Sequence, residues 1–247
     1  MDKKFYLLLI WIMLFGLNAF AQSEIETKST PSFSLETVVA NKYAWRGILY
    51  DQGLVIQPTL GVEYKNWTLQ LWGNIAAVEE DGFAKNHELD FLLQYSFEFG
   101  DLTLSPFLQL YTYPDKDEDS ALELSLACDY NMGAFTISSI LSRDIKLGIP
   151  YLFGDHCISF EKELNEKLIL NTSAGFGWGT EKFNLYYVGI GKSAVNYFFA
   201  SASLSYFLNE EICVKPFAES YLLTDQEIKN LTNDSFVNFG LSISVGF

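Results

Sequence analysis

The stretch Phe236-Val-Asn-Phe-Gly-Leu-Ser-Ile-Ser-Val-Gly-Phe247 alternates without a fault from Val237 onward. Val237, Phe239, Leu241, Ile243, Val245 and Phe247 share one parity, while Asn238, Gly240, Ser242, Ser244 and Gly246 share the other. Successive side chains of a strand point to opposite faces, so this segment predicts a strand with one apolar and one small, polar side. That is what a wall between lipid and a wet lumen requires. A half-buried strand of a soluble sandwich has the same alternation, and the rest of the chain decides between them. Ending on Phe247 resembles the C-terminal signal read by the barrel assembly machinery, which is therefore an expected partner.

The opposite end points the same way. Met-Asp-Lys-Lys precedes an apolar run at 5–20, broken only by Gly16 and Asn18, and the run closes on Ala19-Phe20-Ala21. These are the parts of a secretory signal peptide, cleaved after Ala21 to leave Gln22. The run is shorter than the roughly 20 residues of a spanning helix. No cysteine follows the cleavage site, which disfavours a lipoprotein. No later segment approaches such a run, so membrane insertion predicts a barrel. The expected organisation is a signal peptide at 1–21, a short periplasmic segment at 22–32 and an outer-membrane β-barrel at 33–247, in a bacterial cell.

Composition narrows the function. Without residues 1–21 the chain carries 14 basic and 30 acidic residues, a formal charge of −16, which argues against nucleic acid. Aromatic content reaches 16 %, yet mean hydropathy is only +0.10, because a barrel needs apolar side chains only at alternate positions. Cys128, Cys157 and Cys213 are odd in number and widely spaced, suggesting neither a disulfide framework nor a zinc site. No cofactor is expected.

Alternation predicts an all-β, transmembrane, antiparallel up-and-down barrel of about twelve strands. They fall near 33–43, 54–64, 67–76, 87–98, 102–113, 121–130, 134–142, 155–164, 168–178, 195–208, 212–222 and 235–247. The connections alternate in length. Tight turns such as Lys65-Asn66, Gly100-Asp101 and Asn209-Glu210-Glu211 alternate with longer segments such as 44–53, 77–86, 143–154 and 179–194. Short periplasmic turns and long external loops are the asymmetry of these barrels. Tyr64, Trp67, Tyr95, Phe97, Tyr130, Phe160, Tyr206 and Phe247 fall outward near the short turns, as an aromatic girdle would. Pro58, Pro106 and Pro216 lie inside strands, where each suggests a local bulge.

Tyr43-Ala-Trp-Arg-Gly47, followed by Asp51-Gln-Gly53, Gln57, Gly61 and Leu71-Trp-Gly-Asn74, resembles the TorF family of porins. Glu88-Leu-Asp90 and Tyr111-Thr-Tyr-Pro114 extend the resemblance. It is specific over about the first third of the chain after residue 21 and only pattern-deep beyond, where the loops are longer. The resemblance implies a barrel in the outer membrane and no particular solute.

The inward parity carries small polar residues, among them Gln57, Asn74, Gln109 and Ser242. Charges share it: Lys42 and Arg46 near the external end of the first strand, with Glu88, Asp90, Glu123, Lys215 and Glu219 on others. These seven are the expected channel-lining residues. Two arrangements fit them. Opposed charges across a narrow lumen would select and orient solutes, or Arg46 would pair with Glu88 or Asp90 and close the mouth. Carboxylates predominate on the inward face, and acidic external loops surround Glu79 and Asp115, so the expected function is a porin-like channel for passive diffusion of small solutes or ions, narrow and cation-leaning. Its other expected contacts are outer-membrane lipid and lipopolysaccharide. The alternatives are a lipid hydrolase or a plugged structural barrel. For a hydrolase, His87 and His156 are the only histidines, and Ser159 falls on the face opposite His156. Asp115-Lys-Asp-Glu-Asp-Ser120 imitates the start of a calcium loop but lacks the required glycine, and a solvated acidic loop is expected.

Overall fold

In the computed structural model, residues 30–78, 87–115, 119–231 and 235–247 are described. The segment expected to be a signal peptide, the Glu79 loop and the centre of the 115–120 segment lie outside them. The wall begins with β1 (Ser32–Ala40), β4 (Val55–Tyr64), β5 (Trp67–Ala76), β6 (Glu88–Tyr95), β7 (Phe97–Phe99) and β8 (Leu102–Thr112). It continues with β9 (Ala121–Met132), β10 (Phe135–Asp144), β11 (Phe153–Asn165) and β12 (Leu168–Gly179), then β13 (Ala194–Phe207), β14 (Ile212–Leu223) and β15 (Phe236–Gly246). Each strand pairs antiparallel with its neighbours, and β1 pairs with both β4 and β15, which closes the wall. β6 and β7 are one strand interrupted at Ser96, and both pair with β8 in one register, so the barrel has twelve strands. All twelve lie where alternation predicts them, within a few residues.

The seam is fastened at its ends: Phe33 and Phe247 exchange backbone hydrogen bonds of 2.8 and 2.9 Å, and their rings stack at 6.0 Å. The side-chain distribution is inside out. Leu241 is 41 % exposed, whereas its neighbour Ser242 is 1 % exposed. The predicted girdle residues Tyr64, Trp67, Tyr130 and Tyr206 are exposed, and Trp67, Tyr95 and Phe97 form edge contacts at 4.8 and 4.7 Å.

The prolines behave differently from expectation. Pro58 faces Thr37, Pro106 faces Leu126 and Pro216 faces Leu241 with no shift of register. A missing N–H removes a rung on one side without requiring an extra residue. Pro106 lies beside the interruption at Ser96, where Ser96 turns to Ser105 and to Asn66. The register shifts that do occur are between Glu163 and Asn165, and between Gly177 and Trp178.

Several of the long connections fold into the lumen. Residues after β1 form a small hairpin, β2 (Tyr43–Trp45) and β3 (Ile48–Asp51), separate from the wall. The connection from β12 to β13 carries α1 (Glu181–Tyr187), with Glu181 in its positive first turn and Phe183 and Asn184 buried. Asn184 holds this loop by donating to the carbonyls of Gly179 and Lys192 while accepting from Asn196. A second helix, α2 (Gln226–Leu231), lies between β14 and β15. Phe183 anchors the larger apolar core, which also contains Tyr151, Phe153, Val188, Tyr197 and Ile228. The core of this protein therefore sits inside the barrel, at the end with the long connections.

Candidate functional site: a partitioned lumen

The β2–β3 hairpin crosses the lumen because its chemistry suits the interior. Tyr43 and Trp45 are flanked by Tyr50, Trp72, Tyr111, Phe183 and Tyr187 at ring separations of 5.1–6.3 Å. Such offset and edge contacts are favourable aromatic arrangements. At its tip, Arg46 and Gly47 both have positive φ, 53° and 77°. A Cβ at Gly47 would lie 2.4 Å from Cδ1 of Tyr197, so the tip requires glycine for both conformation and space.

Three polar contacts fasten the hairpin to three wall strands. Arg46 donates from both terminal nitrogens to Glu123 at 2.8 and 2.6 Å. Tyr43 donates to Glu88 at 2.7 Å, and Asn74 donates to Asp51 at 3.2 Å. Glu123, only 1 % exposed, also accepts from Tyr111 at 3.0 Å and Tyr151 at 2.5 Å. Burial pushes the hydroxyls of Tyr151 and Tyr187 up, the latter to about 12, so both remain protonated donors at neutral pH. The Arg46 guanidinium also lies 4.3 Å from the Trp45 ring and 4.5 Å from the Phe153 ring.

The hairpin divides the lumen into two cavities. The larger, about 670 Å³, lies towards the short turns; Lys42, Asp90, Gln109, Lys215 and Glu219 are among its lining residues. The smaller, about 320 Å³, lies towards the long connections and is lined by Glu88, Asp119 and a group of aromatic rings. Tyr43 and Trp45 line both, so these two side chains form the partition. Glu88 and Asp90, two residues apart on the inward face of β6, sit one on either side of it.

The predicted lining residues thus separate into groups. Lys42 lies in the link after β1, which ends at Ala40, so neither Lys42 nor Arg46 belongs to the first strand. Arg46 pairs with Glu123 rather than with Glu88 or Asp90, because the hairpin carries its tip across the lumen. Asp90 accepts from Gln109 at 3.2 Å. Lys215 pairs with Glu36 at 3.2 Å, and Glu219 lies in the same cavity. Sequence reasoning missed Tyr43, Trp45, Tyr50, Tyr151 and Tyr187. The available signal was the aromatic density of their connections, unusual for solvated loops.

A further group lies on the outside. Ser159 and His156 do point to opposite faces, but His156 meets Ser139 across the β10–β11 ladder at 2.9 Å. Trp178 donates its indole N–H to Nε2 of His156 at 2.8 Å. An indole can only donate, so a neutral His156 carries its proton on Nδ1 and donates to Ser139. The imidazole is then not placed to take the serine proton.

No protein-family model matches the chain, and no curated protein matches it. Solved structures do. A KdgM porin is 10 % identical with a TM-score of 0.55, the alignment covering 87 % of this chain and 99 % of that one. A NanC porin is also 10 % identical with a TM-score of 0.55, over 86 % and 98 %. An outer membrane channel from Pseudomonas putida F1 is 9 % identical with a TM-score of 0.54, over 92 % and 100 %. At these identities the likeness is one of fold. The closed twelve-stranded wall, apolar outside and polar within, is the fold of the outer-membrane β-barrels. These structural neighbours are porins and channels.

Proposed function

We propose that the chain is a narrow channel for passive diffusion of small solutes or ions, with a preference for cations. The observation that carries this reading is the meeting of two polar-lined cavities at Tyr43 and Trp45, with a carboxylate on each side. Glu88, which accepts from Tyr43, and Asp90, which accepts from Gln109, flank the narrow point, while Arg46 is held by Glu123 and Lys215 by Glu36. Fixed negative charge beside a constriction concentrates cations, and salt screens the effect. The reversal potential across a bilayer under a potassium chloride gradient tests this. Cation preference is expected, diminished by exchanging Glu88 and Asp90 for Gln and Asn; anion preference would contradict the assignment.

The same partition favours a second reading, a barrel plugged by its own hairpin, which the absence of any conductance would support. A hydrolase is less favoured, because the tautomer imposed by Trp178 leaves Ser139 unactivated. The reading includes secretion through a signal peptide at 1–21, assembly directed by the strand ending in Phe247, and an outer face in contact with lipid and lipopolysaccharide. Kinship with the TorF porins is part of it, their motif Tyr43-Ala-Trp-Arg-Gly47 forming one strand and the tip of the hairpin here.

A further inference from the structure

We infer that the smaller cavity is a binding site for organic cations, a quaternary or primary ammonium on a small apolar body. The inference deepens the channel reading by naming a solute class at its mouth, and it rests on that reading for the solute's route.

The cavity of about 320 Å³ has a volume suited to a small molecule. Six aromatic side chains line it: Tyr43, Trp45, Tyr50, Tyr113, Tyr186 and Tyr187. Glu88 and Asp119 are its charged members, and no Lys or Arg is among its described lining residues. Aromatic faces attract cations through the ring quadrupole, most strongly where water is excluded, and a cage of such rings is suited to alkylated ammonium groups. Carboxylates at the wall add net negative potential, which opposes anions and distinguishes the site from a purely apolar pocket. The neighbourhood already holds one cation in this manner, since the Arg46 guanidinium lies 4.3 Å from the Trp45 ring. That charge is compensated by the bidentate contact to Glu123, so it does not cancel the pull of Glu88 and Asp119.

Cation binding is tested on the full-length mature chain folded in detergent micelles, by calorimetric titration with choline. Its uncharged isostere 3,3-dimethylbutanol and the neutral sugar galactose are titrated in parallel. Choline is expected to bind at least about tenfold more tightly than the isostere, and more weakly as salt rises. The double variant Glu88→Gln, Asp119→Asn, confirmed as folded by heat-modifiable gel mobility, is expected to lose about tenfold in choline affinity. Equal binding of choline and the isostere would overturn the inference in favour of an apolar pocket. Binding of galactose but not choline would overturn it in favour of a sugar site, and no binding of any of the three would overturn it outright. Because the measurement needs no conduction, a barrel that binds choline but passes no current would refute the channel reading alone.

Discussion

Arg46 and Glu123, 77 residues apart in sequence, meet through two parallel hydrogen bonds of 2.8 and 2.6 Å inside the barrel. The planar guanidinium fork matches a carboxylate in a way that lysine cannot. The contact also holds Arg46 at a φ of 53°, a conformation that costs of order 1–3 kcal/mol and persists only where surroundings fix it. It ties the partition to β9.

Removing one partner leaves the other buried without its counter-charge, a loss of about 3–5 kcal/mol for such pairs. Arg46→Ala is expected to loosen the hairpin and raise single-channel conductance while the barrel remains folded. Arg46→Lys is expected to recover only part of the effect. Unchanged conductance in both variants would show that the hairpin does not limit flow.

Gly47→Ala probes the same element from its backbone. The added Cβ would meet Tyr197 at 2.4 Å on a residue with a φ of 77°, so the tip is expected to move away from the wall. Heat-modifiable mobility should persist, with faster hydrogen exchange in residues 43–51. Wild-type protection there would mean that the tip tolerates a side chain.

The two faces of the wall predict unequal costs. Leu241→Arg or Leu108→Arg is expected to destabilise the barrel by about 2–4 kcal/mol if the residue lies near the bilayer midplane. Gln109→Arg, which faces the lumen beside Asp90, is expected to cost less. Ser242 is a poorer control than its parity suggests, being 1 % exposed and bonded to Glu36. Equal unfolding free energies for Leu108→Arg and Gln109→Arg in lipid would contradict an outward lipid face.

Phe247 closes the seam through its backbone bonds and ring contact with Phe33. Its deletion is expected to slow or reduce assembly into the outer membrane, scored by the folded fraction in membrane extracts. Full assembly without it would remove the terminal residue from the insertion signal.

The wall was legible in the sequence because each strand repeats its alternation over eight or more residues, as in Val237 to Phe247, leaving only one parity for lipid. The hairpin was not, because strands of three and four residues carry too few alternations to register. Its first residue, Tyr43, instead extends the parity of β1, so that strand reads three residues too long. The partner of Arg46 was equally hidden. Parity places Glu88, Asp90 and Glu123 on one face alike, and only the path of the hairpin across the lumen chooses among them. The prolines misled for a related reason: a missing N–H has to be accommodated, but whether by a bulge or a lost rung depends on the neighbouring strand.

The two cavities are expected to form one continuous, narrow path past Tyr43 and Trp45. Single-channel recording of the purified protein in a planar bilayer tests it most directly. Small, discrete current steps carried mainly by cations are expected, with larger steps for Arg46→Ala. A wild-type barrel that inserts stably yet passes neither ions nor small solutes would contradict it.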